Sequence, residues 1–145
     1  MSEFAVLPTT GAGFTPSPED VRGVLDWFDA YDRAAKEVAV ARMADMALFP
    51  INVISTDESG NASAGSWTRE VFIQRWTEIL GSGGDVQMES VRTPHFVSAE
   101  LVFVVSDATF TAEGFTQTVR YGDLLVKRDG RWLFQTMVQG GWGEQ

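Results

Sequence analysis

Cysteine is absent from this chain of 145 residues, and histidine occurs once. The sequence therefore excludes disulfides and thiolate nucleophiles, and a single histidine among scattered carboxylates lacks the ligand spacing of a metal centre. No apolar run approaches the ~20 residues that a membrane-spanning helix needs, and no glycine-rich phosphate loop is present. The apolar run at the start of the chain is too short for a secretory signal. We expect a cytoplasmic protein that needs no metal or other cofactor.

Basic residues are also few. The chain has eleven lysines and arginines and twenty aspartates and glutamates, which gives a net charge of -9. An acidic surface repels phosphate groups, so nucleic acid and anionic membranes are not expected partners. What the chain does contain is 44% hydrophobic residues, enough for one domain that buries roughly 70% of its unfolded surface. We expect a flexible N-terminal arm over 1–15 and a single domain over 16–145.

Three helices are predicted in the first half of the chain. Ser17 is a good N-cap followed by Pro18, and apolar residues then recur with helical spacing as far as Tyr31. A shorter helix is predicted over about 36–48, with Pro50 closing it. The third helix is predicted over about 68–80. Between the second and third helices, β-branched residues predict one strand over 51–56 and a loop after it.

The second half reads as four strands joined by tight turns, over about 86–97, 101–111, 115–128 and 131–139, with Asp129-Gly130 as a strong hairpin signal. Helices followed by an antiparallel meander are typical of an α+β fold. We predict three N-terminal helices packed in the concave face of a curved, mainly antiparallel sheet, which makes an apolar pocket for a hydrophobic small molecule.

The segment "RYGDLLVKRDGRW", residues 120–132, closes the long hairpin. With this order of elements, the chain over about 18–142 resembles the nuclear-transport-factor-2-like superfamily, and within it the SnoaL-like and ketosteroid-isomerase-like branch. The resemblance implies a cone-shaped α+β barrel with an open mouth and dimers formed through the outer sheet face. Members include isomerases, dehydratases, epoxide hydrolases, polyketide cyclases and proteins without a known reaction.

The resemblance carries over few catalytic residues. The base carboxylate of ketosteroid isomerase corresponds to a position near Thr56, next to Asp57, and its oxyanion donors correspond to positions near Phe28 and Gly122, which have no donating side chain. Neither the Asp-Arg-Asp set of limonene epoxide hydrolase nor the paired histidines of scytalone-dehydratase-like members is evident. The resemblance therefore predicts the fold and not the reaction.

Three residues are candidates for catalysis. His95 has the one side chain whose ordinary pKa lies near neutrality; the alternative is a surface or interface histidine. Strand alternation places Arg120 on the face of Gly122, which predicts that it points inward; the alternative is an outward pairing with a carboxylate. Asp57 is the carboxylate at the end of the first strand, and its alternative role is to begin a solvated turn.

Large apolar side chains are candidates for lining a ligand pocket, with an ordinary core position as the alternative, and inward glutamines are candidates for polar anchors of a ligand. These candidates are Trp27, Phe49, Trp67, Met88, Gln135 and Gln139. Asp29 and Asp32, beside basic neighbours on the first helix, are interpreted as a solvated face.

Two functions fit the sequence. One is a small enzyme that acts on an apolar metabolite by acid/base catalysis, such as an isomerase, cyclase, dehydratase or epoxide hydrolase. The other is a non-catalytic ligand-binding or dimerisation module. A homodimer is expected in either case, because Leu101, Phe103 and Val105 alternate with Val102 and Val104 and make both faces of one strand apolar.

Overall fold

The computed structural model describes residues 13–81 and 86–143. Its helices and strands are α1 (Pro18–Lys36), α2 (Val40–Ala44), β1 (Ala47–Thr56), β2 (Ala62–Trp67), α3 (Arg69–Gly81), β3 (Gln87–Ser98), β4 (Leu101–Ala112), β5 (Phe115–Arg128) and β6 (Arg131–Val138). The strands form one sheet in the order β2-β1-β6-β5-β4-β3. Only β1 and β6 pair in parallel among these strands. The predicted fold class is confirmed, while the predicted arm falls almost entirely on residues 1–12, outside the described part of the chain.

Helix α1 begins where the sequence predicts it. The Ser17 hydroxyl accepts a hydrogen bond from the Asp20 backbone N–H at 3.1 Å, and the Asp20 carboxylate accepts one from the Ser17 N–H at 2.8 Å. This reciprocal cap satisfies two of the N–H groups that a helix start leaves unpaired. Val24 and Phe28 on the next turns are buried against the sheet, so α1 is fixed across the concave face.

The middle of the chain differs from the prediction. Helix α2 covers only five residues, and Pro50 lies inside β1 rather than at a helix end. The backbone N–H of Phe134 on β6 donates to the Met46 carbonyl at 3.0 Å, so sheet pairing starts before the predicted strand. The predicted loop also contains β2, which pairs antiparallel with β1. Its small residues carry a weak strand signal, and pairing with β1 overrides that local preference.

Strands β4 and β5 define which face of the sheet is concave. The inner residues of β4 are fully buried: Val102, Val104, Ser106 and Ala108. Their partners on β5 include Tyr121 and Asp123, so these two side chains point inward. The predicted orientation of this strand was therefore wrong by one residue. Lys127 was the misleading residue: its ammonium lies 4.8 Å over the Trp132 ring at the open end of the hairpin, on the inner face.

No helix in the described ranges is long and apolar enough to cross a membrane.

Candidate functional site

A cavity of about 540 Å³ lies between α1, α3 and the concave face of the sheet. Its deep end is formed by buried side chains such as Met43 and Met137, and its outer end by exposed ones such as Arg75 and Ile79. The cavity therefore leads from solvent into the core. Aromatic side chains line a large part of its walls: Phe28, Tyr31, Trp67, Trp76, Phe110, Tyr121 and Trp142. Such a lining favours an apolar ligand of small-molecule size.

Arg92, on β3, is the centre of a polar cluster inside this apolar space. Its Nη1 and Nη2 atoms both donate to the Asp32 carboxylate of α1, the latter at 3.1 Å. Nη2 also donates to the Tyr121 hydroxyl at 3.0 Å, and Nε donates to the Ser106 hydroxyl at 3.1 Å. The guanidinium lies 4.4 Å from the Phe28 ring centroid, and the side chain is only 8% exposed. A charge this deeply buried is stable because its nitrogens are all engaged.

The ion pair keeps Arg92 charged. Burial opposes the charge, but the hydrogen bonds that Arg92 donates to Asp32 and the nearby Tyr121 outweigh it and raise the pKa of Arg92. Burial raises the pKa of Asp32 from its ordinary value, although the hydrogen bond and charge of Arg92 oppose that shift. Both oxygens of Asp32 are committed to the guanidinium, so this carboxylate has a structural task and is not free to act on a ligand.

Asp123 is the titratable group that this cluster leaves free. It lies two residues after Tyr121 on β5 and lines the cavity. Within residues 13–81 and 86–143, no group donates a hydrogen bond to its carboxylate. Burial raises the pKa of Asp123 to about 7; Arg92 works against this rise and Asp32 adds to it. The cavity thus holds a carboxyl group that both gains and loses a proton near neutral pH.

The two tyrosines of the chain both line this cavity. The Tyr31 ring stacks on Trp27 with centroids 5.2 Å apart. Burial, and secondarily the charge of Asp123, raises the pKa of Tyr31 well above its usual value. Burial also raises the pKa of Tyr121, against the charge and hydrogen bond of Arg92. Both side chains are therefore neutral phenols that can donate hydrogen bonds at physiological pH.

The segment 139–143 after β6 forms one wall of the cavity. The Trp142 ring is parallel to Trp67 at a centroid distance of 6.1 Å and meets Trp76 edge-on at 6.2 Å. The backbone N–H groups of Gly141 and Trp142 donate to the hydroxyls of Thr56 and Ser55 at 2.9 and 3.0 Å. Gly141 has a φ of +88°, a conformation that glycine adopts without strain. These bonds tie the wall to β1.

No metal-ligating group of three or more side chains occurs in the part of the chain that the structure describes.

We compared the chain with protein-family models, curated proteins and solved structures. No family model matches the chain, and no curated protein matches it significantly. Among solved structures, a nuclear-transport-factor-2-like protein of unknown function from Pseudomonas putida superposes with a TM-score of 0.72 at 11% identity, over 87% of this chain and 89% of that one. The chain has the nuclear-transport-factor-2-like fold. The predicted resemblance is confirmed at the level of the fold.

Two further structures with the nuclear-transport-factor-2-like fold are provisionally named dehydratases. A scytalone dehydratase, so named provisionally, from Novosphingobium aromaticivorans has a TM-score of 0.66 at 18% identity, over 83% of this chain and 82% of that one. A protein from Streptomyces avermitilis has a TM-score of 0.66 at 10% identity, over 86% of this chain and 97% of that one. Identities this low show a shared fold and transfer no reaction.

Three of the predicted ligand-binding residues line the cavity: Trp67, Met88 and Gln139. Trp27 instead donates its indole N–H to the Trp132 carbonyl at 3.0 Å, and Phe49 packs edge-on against Phe72. Gln135 donates to the Pro50 carbonyl at 3.3 Å on the exterior. These last three side chains lie outside the cavity lining, and any role in ligand binding would be indirect.

The three predicted catalytic residues are not brought together. His95 is exposed on the outer face of β3. Arg120 also faces outward, where its Nε donates to the Asp107 carboxylate at 2.7 Å, so the prediction that it points inward was wrong. Asp57 accepts hydrogen bonds from the N–H groups of Ser59 and Asn61, both at 2.9 Å, and so shapes the β1–β2 turn. None of the three lines the cavity.

The cluster that does line the cavity was missed because its members come from separate elements. Asp32 was interpreted as part of a solvated face, yet it pairs with Arg92, which is 60 residues away in sequence. Nothing in the sequence connected Asp32, Arg92 and Asp123, and the structure brings all three to one cavity. One signal was available in the sequence. The positions that correspond to the oxyanion donors of ketosteroid isomerase, near Phe28 and Gly122, lie one helical turn before Tyr31 and one residue before Asp123.

Proposed function

We propose that this protein binds an apolar small molecule that carries a carbonyl group, and that Asp123 moves a proton on it. The observation that carries the proposal is an unpartnered carboxyl group with a pKa of about 7 in an aromatic-walled cavity. A general acid or base is most effective when its pKa lies near the working pH, because both protonation states are then populated. Asp123 meets that condition, whereas Asp32 is held by Arg92.

The chemistry uses Asp123 twice. In its ionised form it removes the proton from the carbon next to the carbonyl, and the electron pair of that C–H bond moves toward the carbonyl oxygen. A tyrosine hydroxyl in the cavity donates a hydrogen bond to that oxygen and stabilises the enolate. If the ligand has a β,γ double bond, Asp123, now protonated, returns the proton to the γ-carbon, so that the double bond moves into conjugation with the re-formed carbonyl, which is isomerisation. If the ligand has a β-hydroxyl, Asp123 gives the proton to it instead; the enolate electrons form the new C=C bond as the C–O bond breaks, and water is released. The two provisionally named dehydratases of the same fold agree with the second outcome without establishing it.

The experiment that tests this proposal needs no natural substrate. 2-Tetralone is a flat, apolar ketone with acidic protons next to its carbonyl. In D2O near neutral pD, the protein is expected to exchange those protons for deuterium on the order of 10²-fold faster than buffer alone. Proton NMR follows the loss of the signal. Exchange no faster than in buffer, at protein concentrations that bind the ketone, would contradict the proposal.

A non-catalytic ligand-binding protein is the second candidate. It is favoured by the internal hydrogen bonds that saturate the guanidinium of Arg92, because a cluster fixed in this way orients a ligand without taking part in a reaction. This candidate predicts saturable binding of 2-tetralone, seen as a change in tryptophan fluorescence, without exchange of its protons. The same sample distinguishes the two functions.

We also propose that the outer sheet face forms a homodimer. Val91 is 69% exposed and Val97 62% exposed on β3, and Leu101 is 40% exposed on β4. Phe103 of β4 covers Gly122 of β5, where an added β-carbon would collide with its ring. Exposed apolar side chains gathered on one sheet face in this way are typical of an interface.

Val97→Asp is expected to convert a dimer into a monomer, because it would bury a carboxylate in the interface without a partner. Light scattering after gel filtration should give twice the 15.9 kDa chain mass for the parent protein and a single chain mass for the variant. Val38→Asp is the control, since Val38 is 49% exposed in the turn between α1 and α2, outside the sheet. A monomeric parent would refute the dimer.

A further inference from the structure

The hydroxyl of Tyr121 accepts a hydrogen bond inside the protein but donates none among the described residues. Its oxygen accepts a hydrogen bond from Nη2 of Arg92 at 3.0 Å. A phenol has one proton to donate besides the lone pairs with which it accepts. Among the described residues nothing accepts that proton, and Tyr121 lines the cavity. The proton is therefore available to a molecule bound there.

Arg92 cannot turn away from Tyr121 without losing its other partners. The Asp32 carboxylate accepts hydrogen bonds from both terminal nitrogens. The Ser106 hydroxyl accepts one from Nε, and Ser106 lies on β4 directly opposite Tyr121 of β5. The Phe28 ring supports the flat face of the guanidinium. Since the guanidinium is planar and rigid, fixing it at these points fixes the direction from which Tyr121 is held.

The charge of Arg92 also makes Tyr121 a better hydrogen-bond donor than an ordinary buried phenol. A cation bonded to the phenol oxygen withdraws electron density from the O–H bond, so its proton forms stronger hydrogen bonds. Tyr31 lacks this support. Aromatic rings hold it instead, Trp27 by stacking and Phe134 edge-on at 5.4 Å, and no arginine bonds to its hydroxyl in the described residues. The two phenols of the cavity are therefore not equivalent.

We propose that Arg92 is a positioning residue, which holds the phenol oxygen of Tyr121 so that the Tyr121 O–H points at the oxygen of the bound molecule. Tyr121, rather than Tyr31, is then the principal hydrogen-bond donor to the ligand. This inference rests on the proposed function in one respect only, that the cavity receives a molecule with a carbonyl oxygen. It holds for a catalyst and for a non-catalytic binding protein alike.

Two probes isolate the contribution of that oxygen. 2-Tetralone and tetralin share one bicyclic body, and only the ketone has a hydrogen-bond acceptor. Their dissociation constants are measured by quenching of tryptophan fluorescence. The parent protein is expected to bind 2-tetralone about tenfold more tightly than tetralin, the size of one hydrogen bond to a neutral acceptor. Tyr121→Phe is expected to bring the ratio close to one, while Tyr31→Phe lowers it less.

The variant that tests Arg92 removes both charges of the ion pair. Arg92→Gln alone would leave Asp32 buried without its cation and risk unfolding, so Arg92→Gln is combined with Asp32→Asn. We expect this double variant to keep its affinity for tetralin within about threefold and to lose most of the tenfold preference for the ketone. The matched control is Arg120→Gln with Asp107→Asn, the same pair of changes on the outer face of β4 and β5. Its preference should equal that of the parent.

The outcomes separate this inference from the proposed reaction. A double variant that binds tetralin normally and still prefers 2-tetralone tenfold overturns the positioning role of Arg92, whatever the exchange assay shows. A parent protein without any preference for the ketone overturns it as well. A preference that disappears in the Tyr121 and Arg92 variants supports it, even where the exchange assay finds no proton transfer and leaves a binding protein.

Discussion

Replacing Asp123 by asparagine is expected to lower the rate of proton exchange in 2-tetralone by about 10²–10⁴-fold, the usual contribution of one positioned acid or base. Asparagine has nearly the shape of aspartate but accepts no proton at neutral pH. The concentration of ketone that gives half the maximal rate should change little, because the walls of the cavity are left intact. The rate of the parent should rise with pH until Asp123 is ionised, at a pKa of about 7.

Asp107→Asn provides the control for this experiment. Asp107 lies on neighbouring β4, and its side chain faces outward to Arg120. The same chemical change at that position should leave exchange at the parental rate. Exchange by Asp123→Asn at the rate of the parent would show that another group, or the solvent, performs the proton transfer.

The same substitution is expected to stabilise the protein above neutral pH. The folded protein raises the pKa of Asp123 from its ordinary value of 3.8 to about 7. Between these values the unfolded chain has released a proton that the folded chain retains. By linkage, the free energy of unfolding therefore falls as the pH rises through this interval and levels off above it. The loss is about 1.4 kcal/mol for each pH unit, on the order of 4 kcal/mol in all as an upper bound.

Urea unfolding of the parent and of Asp123→Asn at pH 4 and pH 8 measures this effect. The variant should gain stability relative to the parent as the pH rises, because asparagine has no proton to lose. Asp32 also has a raised pKa and adds a slope of the same sign to both proteins, so the informative quantity is the difference between them. A difference that stays constant from pH 4 to pH 8 would mean that Asp123 titrates as an exposed carboxyl group does.

Local patterns in the sequence predict most of the fold. The Ser17 cap, the helical spacing of apolar residues in α1 and the Asp129-Gly130 turn each depend on neighbours close in sequence, and the structure contains all three. Strand β2 was missed because its small residues favour no structure on their own. Pairing with β1 determines it, and that pairing depends on the tertiary fold.

The site was less predictable for the same reason. Arg92 and Asp32 are separated by 60 residues, and no spacing rule connects a helix residue to a residue on a strand that the fold later places beneath it. The inward direction of Tyr121 and Asp123 depended on choosing the correct face of β5, and Lys127 supported the opposite choice. A lysine side chain that lies along an aromatic ring at the end of a hairpin does not mark a solvated face.

The central claim is that the cavity holds a carboxyl group that changes charge near neutral pH. The most direct measurement is a carbon-13 NMR titration of the side-chain carboxyl carbons in protein labelled at aspartate, with Asp123→Asn used to assign the signal. We predict a titration midpoint near 7 for Asp123. A midpoint near 4, the ordinary value of an aspartate in water, would contradict the account. Asp123 would then be fully ionised at neutral pH, too weak a base to remove a proton and without a proton to donate.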